Sequence, residues 1–235
     1  GLEGEVRTSW PVSSIRRIGS RWELAGEAGA IRAPKFVACA GLQSDRVAKM
    51  AGIDPPVQIV PFRGEYHRLV GESDHLVRHL VYPVPDPRFP FLGVHFTRGI
   101  DGRVEVGPNA VLAVGRHHYR GASPDLREFL STLATPGLAR LAIRYATTGI
   151  AEMIRSRSRR LYAASARKLI PDLRTEDLVQ GGAGVRAQAL RPDGRLVDDF
   201  SVVGQEGALH VLNAPSPAAT ASLAIGEHLA TMLIG

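Results

Sequence analysis

The run Lys35-Phe-Val-Ala-Cys-Ala40 ends at Gly41, and Leu42 to Ala51 follows as a helical segment closed by Gly52. A short apolar run between turn residues suits a buried strand, which would bury Cys39. A strand, a glycine and then a helix is the geometry in which backbone approaches a phosphate or a flavin closely. This unit points to an α/β chain, and the other segments are read around it.

Before it, Val6 to Ile18 alternates imperfectly. Trp22-Glu-Leu, Gly26 to Gly29 and Ala30 to Ala33 then predict a hairpin-like crossover. Residues 57 to 119 are β-rich. Val57-Gln-Ile-Val-Pro, Gly64-Glu-Tyr-His-Arg-Leu-Val, Leu80-Val-Tyr-Pro-Val, Phe91-Leu-Gly-Val-His-Phe-Thr and Arg103-Val-Glu-Val-Gly-Pro read as strands. Prolines 83, 85, 87 and 90 predict edges or bulges. Residues 124 to 178 turn helical. Ser123-Pro124-Asp125 is a helix start, and Thr135-Pro136 opens a helix predicted to run to about Arg160 on a stripe of Leu138, Leu141, Ala142, Tyr145 and Ile150. Gly181-Gly-Ala-Gly184 reads as a turn. Val185 to Leu190, Leu196 to Val203 and Ala208 to Asn213 read as strands, and Ala214-Pro-Ser-Pro217 opens an alanine-rich helix from Ala218 to Leu233.

Composition narrows the function classes. A single cysteine, Cys39, excludes an internal disulfide framework and a cysteine-rich metal site. No apolar run approaches the ~18 to 20 residues that span a bilayer. The opening Gly1-Leu-Glu-Gly-Glu-Val has neither a basic n-region nor an apolar h-region, so no signal peptide is expected there. A net charge of +6 suits attraction of anionic substrates. Arg155-Ser-Arg-Ser-Arg-Arg160 has few aromatics around it and reads as a solvated face, so no nucleic-acid partner is expected. No G-x-G-x-x-G follows a strand, no P-loop or G-x-S-x-G elbow occurs, and the histidines form no H-E-x-x-H, so no metal site is expected.

Several segments together resemble the D-amino-acid-oxidase-like flavoproteins. Val37-Ala-Cys-Ala-Gly-Leu-Gln-Ser-Asp-Arg-Val-Ala48 resembles a Rossmann strand and turn of that superfamily. Pro61-Phe-Arg-Gly-Glu-Tyr66, Tyr82-Pro-Val-Pro-Asp-Pro, Phe89 to Arg98 and Gly107-Pro-Asn-Ala-Val-Leu-Ala113 are similar to its L-2-hydroxyglutarate oxidase branch. So are Gly184-Val-Arg-Ala-Gln-Ala-Leu190, Val197-Asp-Asp-Phe200 and Asn213 to Thr220. The resemblance runs from about Val12 onward. It implies a mixed α/β architecture: an incomplete FAD-binding, Rossmann-like domain from residues 1–52 and 179–235, and a β-rich substrate domain with helices from residues 53–178. It also implies an N-terminal dinucleotide fingerprint, which these residues do not contain; the chain reads as the C-terminal part of such a protein.

The implied activity is FAD-dependent oxidation of L-2-hydroxyglutarate, a small anionic 2-hydroxy acid, with oxygen or a membrane quinone as electron acceptor. Cytoplasmic placement is expected, with peripheral contact to the inner membrane left open. Such a reaction needs a base for the hydroxyl proton and cations for the carboxylates. His95 is the candidate base, because strand alternation turns it away from Val94 and Phe96; His67 is the reserve. Arg63 and Arg186 are the candidate carboxylate forks, and Tyr66 and Gln188 candidate hydrogen-bonding partners of substrate. Val12, Ala40, Gly41, Asn213, Ser216, Ala218, Ala219 and Thr220 are the implied cofactor contacts, the last five at a helix start that presents N–H groups. Two alternatives stand beside this reading: a flavoprotein for another small anion, such as glycerol 3-phosphate or an amino acid, and a catalytically silent binding module.

Overall fold

A computed structural model describes residues 4–84, 93–117, 126–146, 149, 153–154 and 157–235. The expectations placed on Pro85, Pro87, Pro90, Phe91, the Ser123-Pro124-Asp125 helix start, Ile150 and Arg155 lie outside these residues. The chain divides into two compact units, residues 1–59 with 197–235 and residues 60–196.

In the first unit, β1 (Ser14–Ile18), β2 (Arg21–Gly26) and β3 (Gly29–Ala33) form an antiparallel meander. Gly19 and Gly29 turn its corners at φ of 60° and 121°, a region open to glycine. The middle strand carries Glu23, whose buried carboxylate accepts from Arg16 on one side and Arg32 on the other, at 2.6 and 2.7 Å. Both arginines are its cross-strand partners, so the register places the charges face to face. Trp22 and Ile15 fill the core with Ala51 and Ala208.

A second sheet of the same unit runs β10 (Ser201–Gln205), β11 (Ala208–Asn213), β4 (Phe36–Ala38), with β11 and β4 parallel. Every residue of β11 is buried, as a central strand requires. The helix α1 (Ser44–Met50) follows a short 3-10 turn at Gly41–Gln43 and closes at Gly52, with φ of 83°. Cys39 does not share the expected burial. β4 is half-buried and ends at Ala38, which leaves Cys39 exposed beyond the strand. The terminal helix α5 (Ser222–Ile234) starts four residues later than expected, because Ala218 and Ala221 first bond back to Pro215 and Pro217 in turns.

The second unit is built on β5 (Gln58–Leu69), which takes in both segments that read as separate strands. Pro61 interrupts neither: its carbonyl accepts from Ala113, and the ring that replaces its N–H is packed inside. β6 (His95–Arg98), β7 (Val104–Gly107), β5 and β8 (Val111–Leu112) lie in that order, and β9 (Leu178–Leu190) also pairs with β5. The segment at Leu80 forms only a bridge, Val81 to Phe96.

Gly181 to Gly184 lies inside β9 and is not a turn. A side chain at Gly181 would sit 2.9 Å from the Tyr66 carbonyl oxygen, so glycine here permits close approach of two strands. Because β9 belongs to this sheet, residues 179–196 fall in the second unit, and the division lies at 59/60 and 196/197.

Among the described residues, helices α2 (Leu126–Leu133), α3 (Pro136–Arg144) and α4 (Arg159–Ala166) belong to this unit. The helix begun at Pro136 does not reach Arg160. Tyr145 leaves helical geometry, and Ser158 is extended and caps a new helix by accepting from the Leu161 N–H. Two apolar clusters result. Phe96, Val104, Val106 and Leu178 pack with Tyr162 of α4. Val60, Phe62 and Leu190 pack with Leu138 and Leu141 of α3.

Candidate functional site

In the second unit, pairing decides which side chains can meet. Phe96, Val106 and His67 are successive cross-strand partners, so they share the face that packs on Tyr162. His95 pairs with Gly107, one position along, and therefore lies on the opposite face. There the His95 ring stacks on Tyr82, with centroids 4.3 Å apart and planes at 21°. Its Nδ1 lies 3.0 Å from the Gly93 carbonyl oxygen. If Nδ1 carries the proton and donates it to that carbonyl, Nε2 is left as the free base. Partial burial holds the His95 pKa below the ordinary histidine value; the Gly93 contact opposes this and the nearby Arg186 charge adds to it. Arg186 and Gln188 lie on β9, both half-buried. His95 and Arg186 are thus close enough to sense each other.

A separate cavity of about 500 Å³ opens in the same unit. Its lining includes Arg63, Glu65 and His67 of β5, Arg157 and Arg159 near the start of α4, and the glycine backbone of β9. Tyr66 also lines it, whereas His95, Arg186 and Gln188 do not. Arg63 and Glu65 face each other at 3.5 Å, yet the Arg63 Nε is buried without a hydrogen-bond partner. His67 lies 4.1 Å from the Tyr162 ring, and its buried Nδ1 is also unpartnered. Burial lowers the His67 pKa, with Glu65 acting against this and Arg159 adding to it. The residues expected at one substrate therefore fall into two groups: His95, Arg186 and Gln188 outside the cavity, and Arg63 and Tyr66 in its wall.

The expected cofactor contacts all belong to the first unit. The parallel strands β4 and β11 run out to the same edge, β4 at Ala40-Gly41 and β11 at Asn213. Gly41 takes φ of 51°, and nothing lies within 4 Å of where its side chain would be. Past Asn213, Ser216 leads into the turns before α5. The N–H groups of Ala218 and Ala221 are bonded there, and Thr220 Oγ1 donates to the Pro217 carbonyl. Two expectations change in kind. The Asn213 side chain spends its NH2 group on the carbonyls of Val197 and Asp199, at 3.0 and 2.8 Å, so it braces the loop before β10. Val12 packs against the Ile15–Trp22 cluster.

Sequence reasoning passed over Arg157 and Arg159 because an arginine run reads as a solvated face. It named Tyr82 only as part of a segment that resembles the family and gave it no role. The alternation of arginine and serine in the run was a signal for Arg157 and Arg159.

A family model described as FAD dependent oxidoreductase, DAO, matches residues 1–232. The L-2-hydroxyglutarate dehydrogenase of Indibacter alkaliphilus is 50% identical over 96% of this chain and 57% of its own length. The enzyme of that name from Escherichia coli K12 is 46% identical over 86% of this chain and 48% of its own. The mitochondrial one from Mus musculus is 46% identical over 85% and 44%. The chain spans about half the length of the curated relatives it matches. Among solved structures, the dithionite-reduced L-alpha-glycerophosphate oxidase from Mycoplasma pneumoniae with FAD bound superposes with a TM-score of 0.65, at 17% identity over 94% of this chain and 49% of that one. Glycine oxidase from Bacillus cereus superposes at 0.56, with 12% identity over 94% and 48%. At those identities the likeness is one of fold. With the family model matched almost end to end, the chain belongs to the DAO family of FAD-dependent oxidoreductases.

Proposed function

We propose that this chain is part of an enzyme that oxidises L-2-hydroxyglutarate to 2-oxoglutarate with FAD. The observation that carries the reading is the identity of 42 to 50% to L-2-hydroxyglutarate dehydrogenases, sustained over most of the chain. The electrostatic reach of Arg186 to His95 supports it, since this reaction needs a base near a carboxylate anchor.

The residues present fit the cofactor on geometric grounds. The carboxyl edge of parallel strands is where open α/β sheets take ligands. Open space at Gly41 admits a flat ring against the backbone, and the segment from Ser216 through Ala218, Ala219 and Thr220 forms the turns that precede α5. In this reading Ala40, Gly41 and residues 216–220 hold the flavin end, Asn213 shapes the loop and Val12 backs the fold. Bound FAD supplies the acceptor for the hydride of the carbinol carbon.

His95 Nε2 takes the hydroxyl proton, with the ring oriented by Gly93 and Tyr82. Arg186 grips the carboxylate next to the carbinol, and burial, with the Arg186 charge adding to it, favours the neutral imidazole that a base requires. Gln188 hydrogen-bonds the substrate from β9, whereas Tyr66 lies in the wall of the other cavity and takes no part. Arg63 lines the other cavity and has no role in this reading.

Among the described residues no helix is long and apolar enough to cross a membrane. The acceptor is oxygen or a membrane quinone, and cytoplasmic placement with peripheral membrane contact follows from the second choice. Oxygen uptake against anaerobic reduction of a soluble quinone separates them. The test of the reaction is the flavin spectrum of the chain, alone and joined to a dinucleotide-binding segment, with FAD added. Bleaching by anaerobic L-2-hydroxyglutarate is the expected result. A bound flavin that stays oxidised with this substrate and bleaches with glycerol 3-phosphate or an amino acid would overturn it.

A further inference from the structure

The cavity behind β5 is not used by this reaction, yet its lining is charged and underbonded. Arg63, Arg157 and Arg159 face it against one carboxylate, Glu65, so two positive charges are left uncompensated. The Arg63 Nε and the His67 Nδ1 are both buried without a partner, although a buried polar group left unbonded is costly. The fourth wall is glycine backbone. Nothing lies within 4 Å of where a Gly182 side chain would project, so a ligand can approach the strand closely there. About 500 Å³ is ample for a small organic anion and several waters.

We propose that this cavity is a second anion site, which takes a small dianion: a dicarboxylate or a phosphate group. Guanidinium forks match both chemistries bidentately. The two unmet charges set the preferred ligand charge, and Arg63 and His67 supply the unmet hydrogen-bonding atoms. The site differs from the one at His95 by construction of the sheet. His67 shares a face with Phe96 and Val106, whereas His95 pairs with Gly107 on the other. Neither His95 nor Arg186 is among the residues that line the cavity. The inference stands on the cavity alone and does not depend on the reaction proposed above.

Arg157 and Arg159 are exposed residues, so replacing them leaves the core intact. Titration calorimetry of the 235-residue chain in low-chloride buffer, with succinate in one arm and inorganic phosphate in the other, tests the site. Thermal melts establish that each variant is folded. The expected result is saturable binding of at least one probe that weakens about tenfold or more in Arg157→Ala and in Arg159→Ala, the loss of one charge-assisted contact each. Arg186→Ala changes it by less than about twofold. The tighter of the two probes names the ligand class. Absence of binding to both probes, or binding that persists unchanged in Arg157→Ala and Arg159→Ala, overturns the proposal. Binding lost only in Arg186→Ala also overturns it, by placing the anion beside His95; that outcome leaves the proposed reaction standing.

Discussion

The two units carry their chemistry in different currencies. In the first, what faces the proposed flavin edge is backbone: Gly41 at positive φ, the ends of β4 and β11, and the turns before α5. Its Arg16–Glu23–Arg32 cluster, centred on a buried carboxylate, ties the meander together. In the second, the working parts are side chains set out on an antiparallel sheet, His95 and Arg186 in one group and three arginines in another. A parallel strand pair ends in loops at one edge and so presents amides there, whereas an antiparallel sheet offers a whole face for side chains.

That contrast can be broken by substitution. The largest effect belongs to a side chain. His95→Gln should lower kcat of the FAD-loaded enzyme by about 10² to 10⁴-fold with flavin uptake unchanged, read by steady-state kinetics and a flavin titration. Because the His95 pKa lies below the ordinary value, the acid limb of kcat/KM in the parent should fall below pH ~6.5. A variant that keeps full activity ends the assignment.

The next largest effect is structural. Gly181→Val in β9 meets the Tyr66 carbonyl and should cost about 1 to 3 kcal/mol, seen as a lowered urea midpoint. Gly41→Val, which meets nothing in the protein, should cost only about 1 kcal/mol for its φ while weakening flavin uptake. Equal loss of uptake in both variants would erase the distinction between the units.

The smallest effect concerns His210 in β11. It is buried edge-on against Phe36, and neither ring nitrogen has a partner. Burial depresses its pKa, so the unfolded chain binds a proton that the folded chain resists. Stability is fully present above the unfolded value near pH 6.5 and declines as pH falls below it. His210→Leu should stabilise by about 1 kcal/mol and flatten part of that decline. The remainder belongs to His67 and His95, which are depressed in the same sense. Thermal melts between pH 5 and 8 decide it, and a destabilised variant would show that His210 has a bonding role in the fold.

Much of the architecture was legible in one dimension. The hairpin over Trp22 to Ala33, the strand–glycine–helix unit at 36–52 and the buried β11 are local: glycine conformation, apolar run length and caps decide them. The turn of His95 away from Phe96 was legible for the same reason, since a strand has a period of two. Some misses are local, such as the late start of α5 and the break after Arg144, and others are non-local. Gly181 to Gly184 looks like a turn until another strand is known to pass beside it. Residues 179–196 join the second unit only because β9 pairs with β5.

From the residues alone follows the α/β character, because propensity and periodicity live within short stretches, and the family was legible in the resemblance of several segments taken together. Which side chains meet was decided by the tertiary structure. Arg63 and Arg186 look alike in sequence, yet strand register sends one to Glu65 and His67 and the other to His95. Register is set by pairing between distant segments, and a one-residue slip would exchange the two faces of a strand.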